Sequence, residues 1–280
     1  MKVTCYGSRG SVAVSGCQFL KYGGDTTCVT VESDAGDLVI IDAGTGIRLL
    51  GNKIVESGLR ALTLLFTHAH WDHLLGLPFF KPLYRDHFQV AMYGYAFTPK
   101  NGIQSTIKGI FSHPYFPINT DAILAKLDYH DLDLQAFKVG SLIITPIPLN
   151  HPDGGYGYSI QEGTRRFVFL TDNNLGYQHE LGLSYSAYSD FCMNANLLIH
   201  DAEFTPHEYK TRQQWGHSSF EDAVRLASDA HVSTLGLFHH NQDRDDAGID
   251  QLVSMANQLS HDAGRSIPCI GIYSGFSVIL

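Results

Sequence analysis

The chain has 280 residues, Lys+Arg 19 against Asp+Glu 28, and a formal charge of −9 at pH 7. A hydrophobic fraction of 44% with 10 prolines excludes a disordered or low-complexity chain, and the acidic balance argues against a surface that grips a long nucleic acid through Lys and Arg contacts to phosphates. The 15 histidines are the unusual feature and need a chemical explanation. No apolar run reaches the roughly 18 residues of a membrane span, and the first residues, Met1 to Gly7, hold no stretch of signal-peptide length. A cytoplasmic chain with no membrane partner is therefore expected. Cys5, Cys17, Cys28, Cys192 and Cys269 are odd in number and form no C-x-x-C pair, which fits buried free thiols rather than disulfides or a thiolate zinc site.

The first third reads as β-rich, with Cys28–Glu32 and Leu38–Ile41 flanking Asp34-Ala35-Gly36, a hairpin signal. Ile47, Leu50, Ile54 and Val55 recur at helical spacing, and Gly58 suits the stop. Residues 62–66 form a buried-strand run that ends abruptly in Thr67-His68-Ala69-His70-Trp71-Asp72-His73. From about 80 to 133, aromatic clusters (Tyr93, Tyr95 and Phe97; Phe111, Tyr115 and Phe116) with Pro and Gly punctuation read as an insertion over the core. Strands return at 142–144, 156–160, 167–170 and 197–199. A helix then opens with Ser218-x-x-Glu221 as a capping box, carrying Phe220, Ala223, Val224 and Ala227 on its apolar face. A strand at 234–238, a helix within 249–259 and a final strand within 269–280 complete the chain. With no composition shift or repeat, the expectation is one α/β domain over 1–280 with an insertion or lid segment at about 80–133.

The decisive string is His68-x-His70-x-Asp72-His73. Alternate residues of an extended segment point the same way, so His68 and His70 can share one cation, while a turn at Trp71 aims Asp72 and His73 at a second position. Imidazole and carboxylate suit Zn2+, Mn2+ or Fe2+, and the absence of thiolates fits a catalytic rather than a structural zinc. The plain alternative is a histidine-rich loop with no metal. Four ligand-type residues in six, directly after an apolar strand, count against it.

With this string the chain resembles the metallo-β-lactamase-fold hydrolases, whose signature is H-x-H-x-D-H; the likeness runs the length of the chain and is weakest at about 80–133. The resemblance implies a four-layer αββα sandwich of two mixed β-sheets flanked by helices, with the site on one edge. It further implies a third-site histidine at His151, a metal-bridging aspartate at Asp172, and a last histidine at His239, for which the adjacent His240 is a rival. The implied centre has His68, His70 and His151 on one divalent ion and Asp72, His73 and His239 on the other, with Asp172 and a hydroxide bridging. Zinc is the first expectation, Mn2+ or Fe2+ the alternatives, and the chemistry is two-metal hydrolysis, in which bound water's pKa falls toward about 7. Asp42, an acid at the end of a buried strand, is a candidate to orient an imidazole or else a satisfied structural aspartate.

Two more segments narrow the resemblance. His200-Asp201-Ala202-Glu203-Phe204 resembles the H-E-A-T-F segment of ribonuclease Z and related phosphodiesterases, and Gly216-His217-Ser218-Ser219 resembles their G-H-S-T loop. In those enzymes the acid and the loop histidine pair, which implies that Asp201 holds and charges His217 and that His217 protonates the departing alkoxide; the alternative for His217 is a helix-start residue. Gly7-Ser8-Arg9-Gly10-Ser11 with Tyr22-Gly23-Gly24-Asp25-Thr26-Thr27-Cys28 is similar to a bacterial branch of cyclic-phosphate phosphodiesterases, although that branch usually has asparagine at Asp25 and Asp-Pro at Asn241-Gln242. Arg9 is a phosphate-binding candidate or a loop residue, and residues 111–117 are a lid that stacks a base or sugar, or simple packing. No Gly-rich basic arm of the kind with which ribonuclease Z grips transfer RNA is visible.

The expectation is therefore a dinuclear phosphodiesterase acting on a small or cyclic phosphodiester, with Asp72, Asp201 and His217 as catalytic groups. No long nucleic acid partner is expected, and a homodimer is a candidate assembly. The alternatives are a thioester or lactone hydrolase on the same metals and a non-catalytic metal-binding sensor domain.

Overall fold

Strands that are apolar at consecutive positions need cover on both faces. The chain meets that demand with two stacked sheets and helices outside them. The structure, a computed structural model, describes residues 1–94, 102–114 and 116–280. In chain order the first half gives β1 (Lys2–Gly7), β2 (Cys28–Glu32), β3 (Leu38–Ile41), α1 (Ile47–Glu56), β4 (Ala61–Leu65), the single turn α2 (Trp71–Leu74), β5 (Gln89–Gly94), α3 (Ile103–Ile110) and β6 (Lys126–Asp131). The second half gives β7 (Phe137–Val139), β8 (Leu142–Pro148), β9 (Tyr156–Glu162), β10 (Arg165–Leu170), α4 (Tyr185–Cys192), β11 (Leu197–Asp201), α5 (Pro206–Tyr209), α6 (Phe220–Asp229), β12 (Leu235–Phe238), α7 (Asp246–Asp262), β13 (Cys269–Gly271) and β14 (Ser277–Ile279).

One seven-stranded sheet runs β14-β1-β2-β3-β4-β5-β6 and the other β13-β12-β11-β10-β9-β8-β7. Side chains alternate between layers, as a period of two requires. Val39 and Ile41 join Phe167, Phe169 and Ile199 in the core between the sheets, whereas Ile40 packs under α1 with Ile47, Leu50 and Ile54. Leu198 likewise turns outward to Ala223, Val224 and Ala227 of α6. This is the αββα sandwich of two mixed sheets expected from the sequence.

Strand direction decides where the loops go. β3 and β4 are parallel, as are β10, β11 and β12. β8 is antiparallel to β9, which is antiparallel to β10, so β8 ends on the same edge as β10. Ligands of open α/β sheets lie beyond the carboxyl ends of such strands.

Three expectations need correction. Within the stretch at about 80–133, the described strands β5 and β6 are part of the first sheet, which they extend in parallel with β4, and do not lie over the core. Its weak alternation hid them, because β6 is only partly buried. The final strand is two, β13 in one sheet and β14 beside β1 in the other. The cap of α6 is Ser219, whose hydroxyl accepts from the Asp222 amide at 3.2 Å, while Ser218 Oγ donates to the Asn173 carbonyl at 2.6 Å. Tyr95, Phe97 and Tyr115, named in the aromatic clusters, lie outside the described residues. Of the thiols, Cys17 is exposed and the other four are buried and free. Among the described residues no helix is long and apolar enough to cross a membrane.

Candidate metal centre

After β4 the chain stays extended through His70 (φ −68, ψ 154) and then coils into α2. The imidazoles of His68 and His70 thus stand side by side, ring centroids 4.5 Å apart, and the turn presents Asp72 and His73 beyond them. The loops after β8, β10 and β12 bring His151, Asp172 and His239 to the same rim. Four non-glycine residues here, Ser11, Asp42, Asp172 and His239, have φ between 54 and 62. Such backbone costs on the order of 1–3 kcal/mol each and persists where the surroundings dictate it.

Two donor sets result. His68, His70, His151 and Asp172 form one, and Asp72, His73, Asp172 and His239 form the other, each with its donor atoms within 4.8 Å of one another. Asp172 belongs to both. The separations have the character of a coordination shell: His73 Nε2 and His239 Nε2 each lie 3.2 Å from Asp72 Oδ2, His73 Nε2 lies 3.4 Å from Asp172 Oδ1, and His68 Nε2 lies 3.6 Å from Asp172 Oδ2. A tetrahedron of ligands at the usual zinc distances has edges of about 3.3 Å, longer than a good N–H···O bond. Among the described residues the buried Nε2 atoms of His68 and His73 have no hydrogen-bond partner, and a buried polar atom left so is costly unless something else occupies its lone pair. The donors therefore fit divalent cations by type, spacing and unmet valence.

The outer faces of these imidazoles are tied down, as metal-binding histidines require. Asp42 Oδ2 sits 2.7 Å from His73 Nδ1 and accepts from Thr67 Oγ1 at 2.7 Å, while its Oδ1 accepts from the Thr67 amide at 2.8 Å. His151 Nδ1 faces the Gly216 carbonyl at 3.1 Å, and His239 Nδ1 faces Glu203 Oε2 at 3.0 Å. Asp72 accepts from the Ser11 amide at 2.9 Å. Two glycines are steric requirements: a β-carbon at Gly10 would overlap the His239 ring, and one at Gly216 (φ 91) would overlap the His151 ring. The rivalry at the last position is resolved geometrically. His239 faces the cluster, and His240 turns away, its Nε2 2.7 Å from the Ile272 carbonyl and its ring against Tyr22.

Electrostatics divide the histidines. Burial holds His68 well below its ordinary pKa and lowers His151 to about 4, so both are neutral donors. Burial also opposes charge on His73 and His239, but the carboxylates around them outweigh it, Asp72 and Asp172 at His73 and Asp172, Asp72 and Glu203 at His239, and raise both well above the ordinary value. A cation entering the second set must displace their protons.

His217 is buried beside the second set, stacked on His239 at 4.6 Å. Its expected pairing with Asp201 is not what the structure shows. Asp201 lies 3.9 Å from His217 Nδ1 and spends its oxygens on the amides of Asn173 and Ser218, at 2.7 and 2.8 Å. Burial, reinforced by Asp172, raises its pKa well above the carboxylate range. The acid at His217 Nε2 is Glu203, 3.4 Å away, and there burial is outweighed by His217 and His239, so its pKa is lowered. Glu203 is the residue the sequence reading missed. A signal existed: residues 201 and 203 of an extended segment face one way, and the chain has the shorter aspartate where the similar motif has glutamate, with a long acid two places on. Asn241, another departure from the pattern, donates to Glu203 Oε1 at 2.8 Å.

Arg9 does not reach the rim. Its fully buried guanidinium donates to the carbonyls of Gly23, Asn241 and Arg244 and stacks on Phe19, so it ties loops together.

A two-sheet αββα sandwich with a His/Asp cluster beyond its carboxyl edge defines a metal-binding hydrolase of the metallo-β-lactamase fold. The model of the beta-lactamase superfamily domain matches residues 38–240, which hold all of the donor residues, and the chain belongs to that family. Ribonuclease Z of Sulfolobus acidocaldarius is 24% identical over 245 residues, covering 72% of this chain and 77% of its own. The metallo-beta-lactamase fold protein YhfI from Bacillus subtilis superposes with a TM-score of 0.69 at 19% identity over 99% of both chains. A diphosphatase from the PhnP family does so with a TM-score of 0.69 at 19% identity, over 100% of this chain and 97% of that one.

Proposed function

We propose that the protein is a dinuclear metal-dependent phosphodiesterase that cleaves a small or cyclic phosphodiester. His68, His70 and His151 hold one divalent ion and Asp72, His73 and His239 the other, with Asp172 shared between them. Zinc suits this thiolate-free donor set, with Mn2+ or Fe2+ as alternates. Ions bound there supply Lewis acidity for phosphoryl oxygens and a nucleophilic water at neutral pH.

The observation that carries the proposal is His217, whose buried Nδ1 has no hydrogen-bond partner among the described residues, Asp172 and Asp201 standing 3.8 and 3.9 Å off, while Glu203 stands at its Nε2. Glu203 and the stacked His239 ring fix the imidazole; burial lowers its pKa, the Glu203 and Asp172 carboxylates work against that, and His217 supplies the proton for the leaving group. In the balanced step the water oxygen forms a new P–O bond and gives up one proton to solvent, one ester P–O bond breaks, and the departing alkoxide takes the His217 proton. An alkoxide needs such help and a thiolate does not, which separates this reading from a thioester hydrolase; a lactone also expels an alkoxide, so the substrate panel makes that separation. The name of the ribonuclease Z relatives points to RNA, but a chain of charge −9 with a rim of acids and imidazoles suits a small anion held by its metals. A cytoplasmic location belongs to the same reading.

The test is metal analysis followed by a panel of 2′,3′- and 3′,5′-cyclic nucleotides, phosphoribosyl cyclic phosphate, bis-aryl phosphate, a transfer-RNA precursor, thioesters and lactones. Two ions per chain and turnover of small diesters are expected; turnover of carboxylic esters alone defeats the proposal. His217→Ala should cost about 10²–10⁴-fold on diesters with alkoxide leaving groups and far less on activated aryl esters.

A further inference from the structure

Beside the metal rim lies a second recess of about 730 Å³ whose character is the opposite. Trp71, Leu75 and Phe79 form one wall, with Ile110 of α3 and Phe116 opposite, and no acidic or basic side chain lines it among the described residues. Ala69 and Trp71 line both this cleft and the polar recess of Asp72, Asp172, His217 and His239, so the two spaces are neighbours across one stretch of backbone. Trp71 is 75% exposed, Leu75 48% and Phe79 55%. Three large apolar side chains, four residues apart in succession and open to water, sit directly on the segment that carries the metal donors. Exposed apolar surface gathered in this way marks a binding site, and the volume lies in the roughly 300–1,000 Å³ range of small-molecule sites.

We propose that this cleft is a specificity subsite that takes an uncharged alkyl or aryl ester group of the substrate while the phosphate sits at the metal rim. The proposal rests on the phosphodiesterase reading for the phosphate and adds the class of its substituent. Charge disfavours the obvious competitors: among the described residues a second phosphate finds no cation in the cleft and an amine finds no carboxylate. Phe116 lines the cleft and packs edge-on against both Phe79, at 5.8 Å, and the buried Phe111, at 5.7 Å.

The probes are dimethyl, diethyl and dibutyl phosphate, symmetrical so that orientation does not matter, added to the metal-loaded protein. Binding is read from Trp71 fluorescence in a Trp215→Phe background, these being the two tryptophans of the chain, and from competitive inhibition. A methylene taken fully out of water strengthens binding about fourfold, so dibutyl phosphate should bind at least about tenfold more tightly than dimethyl phosphate. Leu75→Ser and Phe79→Ser alter half-exposed side chains and should fold; each should flatten the series. Leu134→Ser, another exposed leucine outside the cleft, should leave it steep. A flat series in the parent protein, or a steep one that survives both cleft variants, overturns the subsite. So does a flat series accompanied by loss of a dimer in Leu75→Ser by sedimentation, which would give the cleft to a second copy. The two readings fail separately: diester hydrolysis with a flat series removes the subsite alone, whereas a steep series in a protein that hydrolyses no diester keeps the apolar cleft and removes the phosphodiesterase.

Discussion

The polar rim and the apolar cleft share Ala69 and Trp71 and are built on opposite principles. At the rim, buried carboxylates and imidazoles hold one another from several strands at once, on left-handed backbone that only such cross-bracing maintains. In the cleft, side chains from one short segment and α3 stand half in water with little to fix them. Chemistry needs positions held within a fraction of an ångström; choice among substituents needs only apolar area. Changes at the rim should therefore be severe and shared by all substrates, and changes in the cleft mild and selective.

The largest effect should follow removal of the group common to both donor sets. Asp172→Ala is expected to reduce bound metal below two ions per chain and activity by more than the about 10²–10⁴-fold that a general acid supplies, with Phe79→Ser leaving metal content unchanged. Metal analysis beside initial rates on one diester checks both. Retention of two ions in Asp172→Ala would remove the contrast between rim and cleft.

A smaller effect separates the two acids of β11 and its following loop. Glu203→Gln should weaken metal binding or activity by about 10–100-fold, as loss of a partner behind a metal histidine does. Asp201→Asn should instead lower thermal stability while activity stays within about threefold, because an amide cannot accept on both sides from the two backbone N–H groups that Asp201 serves, and each such loss costs about 1–3 kcal/mol. The reverse ranking would restore the pairing of Asp201 with His217 implied by the motif.

The smallest effect concerns pH. In metal-free protein the raised pKa values of His73 and His239 contribute stability that is fully present below the unfolded histidine value and declines as pH rises through the folded values. The depressed Asp72 and Asp172 contribute stability present above the unfolded aspartate value and lost on acidification. The cluster's contribution should therefore peak between about pH 4 and 6.5, falling on the alkaline side by up to about 1.4 kcal/mol per pH unit per histidine. Metal affinity should run the other way, rising with pH as those protons leave. Denaturant melts in chelator and metal titrations at several pH values measure the two slopes; parallel slopes would refute the assignment.

Much of this was legible in residue order because it is local. The H-x-H-x-D-H string needs only an extended segment and one turn to aim its side chains, and strands apolar at every position, such as Leu197-Leu198-Ile199, announce cover on both faces. β6 was illegible because an edge strand of partial burial loses the apolar signature, and β5 beside it went unread although its alternate residues are buried. The split of residues 269–280 between two sheets was invisible because both strands are three residues long. The cap shifted from Ser218 to Ser219 because a buried tertiary demand, the Asn173 carbonyl, claimed the first hydroxyl.

Sequence alone carried an α/β domain and the H-x-H-x-D-H string, since periodicity and residue chemistry are properties of short stretches, and the resemblance that string carries implied the layers and the later donor segments. Tertiary structure alone placed near-equals apart: His239 facing the cluster and His240 away from it, Glu203 nearer His217 than Asp201, Arg9 among loop carbonyls, and an apolar cleft beside a polar rim. Those choices depend on which strand ends share an edge and on how far a side chain of given length reaches across it. Neither quantity exists until the two sheets are stacked.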